Sequence, residues 1–270
     1  MSADQAITLA DVTFAYGPDD PTVLEGVDLA IPRGAVTVIV GASGGGKSTL
    51  LSMLNGLIPS FISGEFTGSI TAAGTDLTTT RTNRVADQIG MVLQDYEAQL
   101  FGTSITAEVA FGPENLGVDP VEIDARIDRA LALADLDTID RRRPPSSLSG
   151  GQKQRLVIAG VAAMEPRVMI LDEPTSDLDP AGTEALLSVL QRVRTADVDG
   201  GWAGPETVVM VTHAVEEAIG ADHIIMLADG GVAASGPPAA VLRDAAALRA
   251  ARVGVPPLVT AFDALGAPVR

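Results

Sequence analysis

The sequence predicts an α/β protein with a mostly parallel sheet, and three observations carry that expectation. Apolar, β-branched runs alternate with segments of helical period along most of the 270 residues, the pattern left by buried parallel strands and their crossover helices. One such run, AVTVIV at 35–40, leads straight into a glycine loop, GASGGGKS at 41–48, and then into a helix. Another, RVMILD at 167–172, ends on an acidic residue. Hydrophobic residues make up 46% of the chain, enough for a sizeable core. The length fits one large domain or two small ones.

In chain order, ITLADVTFAY (7–16) and VLEGVDLAI (23–31) read as strands ahead of AVTVIV. The helix after the glycine loop continues through 50–57. FTGSITAAG (66–74) and IGMVLQ (89–94) read as further strands. From about Thr103 the pattern turns helical, and a block at about 96–154 reads as an inserted subdomain. Within it Asp119 is a cap with Pro120 at the first helical position, and Ile123, Ile127, Leu131 and Ala134 share one face. RRRPPSS (141–147) is a loop. Asp179 and Pro180 start another helix, with Leu186, Leu190 and Val193 on one side. TVVMVTH (207–213) is a strand ending in histidine, and HIIMLADGGVAASG (223–236) is a hairpin through DGG. Residues 237–270 read as Ala-rich helix broken by proline, and no internal repeat is visible.

Composition narrows the partners. The net charge of −17 and pI near 4.3 argue against nucleic acid, whose phosphates must be neutralised by Lys and Arg. No cysteine is present, so disulfides and thiolate metal sites are excluded. The N-terminus lacks a basic region followed by an apolar run, and no stretch approaches about 18 apolar residues. A soluble, cytoplasmic chain is expected. Only two lysines, Lys47 and Lys153, stand against sixteen arginines, which points to a role at 47 that arginine cannot fill.

GASGGGKS fits the phosphate-loop pattern, with the strand before it and the helix after it that the motif requires. Gly41, Ser43, Gly44, Gly45, Gly46, Lys47, Ser48 and Thr49 are the candidate phosphate ligands. Lys47 would reach the β and γ oxygens, and Ser48 would offer its hydroxyl to Mg²⁺. Glycine is required where backbone must approach an anion without a Cβ in the way. Asp172, closing VMILD, suits a Mg²⁺ held through water, and Glu173 suits the base for an attacking water. His213 reads either as structural or as a γ-phosphate contact. Gln94 is a candidate for the Mg²⁺ shell and the water, and Tyr16 reads either as a core aromatic or as a ring stacking on adenine. A second anion-binding device follows in LSGGQ (148–152), where Ser149, Gly150, Gly151 and Gln152 open a helix start.

The ordered set Tyr16, GASGGGKS, Gln94, LSGGQ, MILDEP, SDLD and His213 resembles the ATP-binding cassette (ABC) family over about residues 5–236. Phosphate-loop kinases and GTPases lack LSGGQ. The resemblance implies a RecA-like core, an N-terminal antiparallel β-subdomain, an inserted α-helical subdomain and a short C-terminal helical tail. It implies one ATPase domain at 1–236 with its helical part at about 96–154, and a possible dimerisation element at 237–270. The implied cofactors are ATP and Mg²⁺. Two cassettes would pack head to tail, each LSGGQ closing over the partner's ATP, with Asp177 and Asp179 between the sites.

DYEAQLFGTSITAEVAFGPENLG (95–117), GLIPSF (56–61) and RVGVPPLVTAF (252–262) resemble the energy-coupling factor branch, whose members import vitamins, cobalt or nickel. The implied partners are a second cassette, identical or paralogous, an integral membrane coupling subunit and a separate substrate-binding membrane subunit. The implied place is the cytoplasmic face of a prokaryotic membrane. Asp95 and Glu97 are expected to meet a basic helix of the membrane subunit, with Leu100 and Phe101 exposed beside them. Three features depart from the pattern: Gly45, the long segment 197–206 with Trp202, and an early end that would also suit the first half of a tandem-cassette chain. The competing reading, a chromosome-maintenance or ribosome-associated cassette ATPase, would bring long coiled-coil insertions or a basic linker. No heptad run is present.

Overall fold

The computed structural model describes residues 4–176, 178–194 and 204–254. Asp177, Trp202 with most of the 197–206 segment, and the tail from 255 onward lie outside the described residues. The elements run β1 (Gln5–Ala15), β2 (Leu24–Pro32), β3 (Val36–Gly41), α1 (Lys47–Leu54), β4 (Glu65–Ala72), β5 (Thr75–Asp76), β6 (Ile89–Val92), α2 (Ile105–Asn115), α3 (Pro120–Leu133), α4 (Gly150–Ala163), β7 (Val168–Asp172), α5 (Pro180–Arg194), β8 (Thr207–Thr212), β9 (His223–Ala228), β10 (Gly231–Gly236), α6 (Pro238–Val241) and α7 (Ala245–Ala250). They form two compact units, one of residues 1–85 with 207–270 and one of 86–206.

The first unit holds two sheets. β1 pairs antiparallel with β2 and β4, and β5 extends β4. β1 alternates buried and exposed positions along most of its length, as a strand with one covered face does. β3 is different: Thr37 to Gly41 are all buried. It runs parallel to both β8 and β9, so both its edges and both its faces are covered, and a continuous Val/Ile run is what such a strand needs. β9 turns into β10 through Asp229 and Gly230, at φ 47° and 79°. Positive φ at both turn positions is the requirement of the tight hairpin read from DGG. The turn also reaches β2, where Glu25 N donates to Gly230 O at 3.0 Å.

The second unit pairs β6 parallel to β7 and packs α2, α3 and α4 around one apolar cluster that includes Ile105, Val109, Ile127, Leu131 and Leu156. The expected face of α3 is the buried one, and Asp119 caps it, accepting from Val121 N at 2.9 Å. The helical block differs in extent from the sequence reading. Residues 96–99 make a single 3-10 turn, and the helices run from 105 to 163, because the helix that LSGGQ opens continues to Ala163. On α5 the buried stripe is Leu186, Val189 and Val193, with Leu190 half-buried at its margin. Glycines let α4 approach closely: a Cβ on Gly112 would lie 2.5 Å from Met164 Cγ, and one on Gly90 2.5 Å from Val161 Cγ1. Arg126 and Arg129 bridge Glu122 to Glu165 with contacts of 2.7–3.2 Å, tying α3 to the end of α4.

His223, at the start of β9, shares a 2.8 Å hydrogen bond with Ser235 across the hairpin. Burial holds its pKa below the ordinary histidine value, because desolvation disfavours the charged ring. The unfolded chain therefore binds the proton more readily, so the contribution to stability is present above about pH 6.5 and is lost as pH falls. Thermal midpoints measured from pH 8 to pH 5 should drop less steeply for His223→Gln than for the wild type.

Candidate functional site

In the first unit the glycine loop bridges β3 and α1. Gly44 and Gly46 adopt φ of 76° and 90°, which only glycine takes without strain. A Cβ on Gly46 would lie 2.8 Å from Leu24 Cδ2, and one on Gly41 2.5 Å from Leu227 O. The loop is therefore seated between the start of β2 and the end of β9. No atom lies within 4 Å of where a Gly44 Cβ would stand, so that side of the loop is an open cradle. Lys47 is 7% exposed, and its Nζ donates to Gly41 O at 3.0 Å and Ala42 O at 3.1 Å. The loop is thus curled around its own ammonium group. The first turn of α1 contains no acidic residue, leaving the positive helix end uncompensated.

Two further candidates belong to this unit. Tyr16 shares a 2.9 Å hydrogen bond with Thr49 Oγ1 and sits edge-on to Phe14, centroids 5.0 Å apart. Its ring remains 47% exposed. Tyr16 is thus half-exposed, anchored by Thr49 and Phe14. His213 directly follows β8 and lines a cleft of about 280 Å³ with Gly41, Ala42, Ser43 and Glu216.

The second unit brings Gln94, Asp172 and Glu173 together. Gln94 follows β6 by two residues and Asp172 ends β7, its parallel neighbour. Gln94 Nε2 donates to Glu173 Oε2 at 3.1 Å. Glu173 has φ 44°, uncommon for a non-glycine residue. The loop after it holds that conformation: Ser176 donates to Glu173 O from both N (3.2 Å) and Oγ (3.0 Å), and buried Gln154 donates from Nε2 to Pro174 O.

LSGGQ sits at the start of α4 in the same unit. Ser149 and Gln152 form a reciprocal cap: Ser149 Oγ accepts from Gln152 N at 3.4 Å, and Gln152 Oε1 accepts from Ser149 N at 3.0 Å. Here the Gln152 side chain shapes the turn. Ser149, Gly150 and Gly151 are exposed. No atom lies within 4 Å of a Cβ placed on Gly151, whereas one on Gly150 would lie 3.2 Å from Tyr96 Oη. This helix start also has no acidic residue in its first turn.

The segment after Gln94 differs from expectation. Glu97 forms a 2.7 Å ion pair with Lys153 on α4, and Asp95 caps the 3-10 turn, accepting from Ala98 N. Leu100 is half-buried against the helical cluster. Phe101 is 60% exposed and packs edge-on against Phe111 with centroids 4.5 Å apart. The two rings line an apolar groove of about 360 Å³ with Met91, Val157, Val161 and Met164. Sequence reasoning passed over Glu108, which is 8% exposed and accepts from Phe101 N (3.0 Å) and Gly102 N (2.6 Å). A carboxylate on the buried face of α2, beside Ile105 and Val109, was the available signal.

A curled glycine loop around one lysine at a helix start, in a chain with an acid-terminated parallel strand, defines a phosphate-loop nucleotide-binding protein. The sequence matches the ABC transporter family over residues 24–176. It is 43% identical to the cobalt import ATP-binding protein CbiO of Rhodobacter capsulatus, covering 92% of this chain and 84% of that one. It is 38% identical to the energy-coupling factor transporter ATP-binding protein EcfA1 of Symbiobacterium thermophilum, covering 97% and 89%. A putative ABC transporter ATP-binding protein of Caldanaerobacter subterraneus is 40% identical over 95% of this chain, and the chain spans only 43% of that relative. Among solved structures, cbiO1 of Clostridium perfringens, part of the complex cbiONQ, superposes with a TM-score of 0.78 at 30% identity, covering 96% of this chain and 99% of that one. MJ0796, a bacterial ABC transporter cassette solved as a dimer, gives 0.71 at 27% identity, covering 86% and 98%. The chain belongs to the ABC transporter family, as an ATPase of its energy-coupling factor and cobalt-importer branch. The cassette fold expected from the sequence is the fold observed.

Glu108→Ala would leave two part-buried backbone N–H groups, at Phe101 and Gly102, without their acceptor. A fully buried donor left so costs about 1–3 kcal/mol, and water reaching these two part-buried groups keeps their sum near that range. Chemical denaturation should show a loss of stability in that range, and a Glu108→Gln variant, which keeps an acceptor oxygen, should lose less.

Proposed function

We propose that the chain is the ATP-hydrolysing subunit of a membrane importer of the energy-coupling factor type, and that it acts as one half of a head-to-tail cassette pair. The observation that carries the pairing is the helix start at LSGGQ, with Gly151 facing open space and a cap that engages the amide of Gln152 while Gly150 and Gly151 stay exposed. Such a terminus binds an anion. The ATP that the chain's own glycine loop cradles already has a loop and a lysine, so the phosphate met by LSGGQ is the partner's. The dimeric neighbour MJ0796 supports this arrangement.

In this reading Tyr16 stacks on the adenine, the amides of 43–49 wrap the β- and γ-phosphates, and Lys47 exchanges its loop carbonyls for phosphate oxygens. Glu173 takes the proton of the attacking water while Gln94 holds one carboxylate oxygen. His213 contacts the γ-phosphate. The hydroxyl of Ser48, the amide oxygen of Gln94 and the carboxylate of Asp172 are hard oxygen donors of the kind Mg²⁺ prefers, and bound there the ion would neutralise charge developing on the phosphates.

No helix among the described residues is long and apolar enough to cross a membrane, and in this reading a membrane protein carries the cargo across. The groove beside Phe101 and Phe111 is its docking place. A contiguous apolar patch around exposed aromatic anchors is what such interfaces use. A coupling helix with a basic end suits it, since cytoplasmic segments of membrane proteins are rich in Lys and Arg and this chain carries −17. A further membrane subunit would bind the vitamin or metal cargo, which this chain never touches.

Glu173→Gln should bind ATP with unchanged affinity but hydrolyse it at least about 100-fold more slowly. It should also accumulate as a dimer on adding ATP, read by light scattering. Wild-type turnover in that variant would remove Glu173 as the base.

Phe101→Asp places a charge in the groove at an exposed position. Co-purification with the membrane subunits should be lost while the thermal midpoint stays within a few degrees, as surface substitutions allow. Undiminished assembly would put the docking surface elsewhere.

A further inference from the structure

We propose that the ion pair between Glu97 and Lys153 is a positioning latch. It ties the glutamine that holds the catalytic carboxylate to the helix start that serves the opposite site, so that the two composite sites act together. The proposal rests on the reading of LSGGQ as acting on the partner's ATP.

The latch is built from short, continuous links. Gln94 holds Glu173 at 3.1 Å. The backbone after Gln94 turns at once, with Tyr96 N donating to Gln94 O at 3.0 Å. Gln99 stitches that turn back onto β6, accepting from Leu93 N at 2.8 Å and donating to Met91 O at 3.1 Å. The backbone that carries Glu97 is therefore fixed, and the Glu97 carboxylate meets Lys153 at 2.7 Å. Lys153 lies one turn into α4, its N donating to Ser149 O at 2.8 Å. A displacement at Gln94 is thus delivered to the LSGGQ cap. Tyr96 adds a steric stop, its hydroxyl 3.2 Å from where a Gly150 Cβ would stand.

Residue usage points the same way. Sixteen of eighteen basic residues are arginine, and the lysine besides Lys47 is this one. Its side chain is only 19% exposed. A compact ammonium fits that space and meets one carboxylate oxygen, whereas a planar guanidinium asks for a wider, two-pronged partner. Glu97 is 58% exposed, and such pairs add little to fold stability. Stability is therefore not what this pair supplies.

The test is a charge swap in the full chain. Glu97→Lys and Lys153→Glu should each lower the maximal ATPase rate by about tenfold, the size of a typical coupling between sites, with ATP affinity and thermal midpoint nearly unchanged. The double variant should recover most of the lost rate. Single variants that turn over like the wild type, or a double variant as slow as either single, would overturn the latch. The reading beneath it is checked separately, with ATP-driven dimer formation by Glu173→Gln carrying an intact pair. No dimer there removes the composite sites, and the latch with them. A dimer there together with a failed swap removes the latch alone.

Discussion

An acidic chain that must hold a polyphosphate faces an electrostatic problem, and the architecture follows from how it is met. With a net charge of −17, the surface as a whole repels the ligand. Attraction has to be local, and it comes from backbone. A helix start carries about half a positive charge, confined to its first turn. The two helices that face anions in the proposed reading, α1 and α4, carry no acidic residue in that turn. By contrast α2 and α3, with no such duty, carry Glu108 and Glu122 there. The glycine loop extends the same device by wrapping amides where a Cβ would obstruct. That is why Lys47 can be a single buried point charge, held by two carbonyls, and not one of a cluster.

The sequence exposed this device because its parts are contiguous. GASGGGKS must lie between a strand and a helix, and both flanks were legible from period and β-branching. Asp119–Pro120 and DGG were legible for the same reason, each being a local rule of backbone geometry that the structure obeys. LSGGQ was visible as a capped helix start, and the reciprocal Ser149–Gln152 cap bears that out.

What stayed hidden depends on residues distant in sequence. Glu97 and Lys153 are 56 positions apart, so neither shows its partner in a linear reading. Glu97 was accordingly expected to face a basic membrane helix. Leu100 and Phe101, adjacent in sequence, were expected to share one fate. The backbone turns between them, so Leu100 goes into the helical cluster and Phe101 stays out. Glycine hid its purpose as well. Gly44 is open to solvent-side approach, while Gly90 and Gly112 are filled against Val161 and Met164. Only packing separates a glycine that admits a ligand from one that admits a neighbouring helix.

The strain at Glu173 shows how the two kinds of information combine. A carboxylate at φ 44° costs of order 1–3 kcal/mol relative to relaxed backbone. Glycine at 173 would remove that cost and the chemistry with it. The conformation is maintained by Ser176 behind it, by Gln154 through the Pro174 carbonyl, and by Gln94 at the carboxylate itself. Gln154 belongs to α4, the helix that LSGGQ starts, and Gln94 leads into the turn that grips the same helix through Lys153. The strained residue and the exposed helix start are therefore not independent features. Each is held by α4, so a change in the pose of that helix alters both the support of one carboxylate and the direction of one set of amides. In the proposed reading the first turns of α4 serve both purposes, presenting Ser149 and Gly151 outward while Lys153 and Gln154 hold the turn and the loop that support Glu173, so one helix start links the two events.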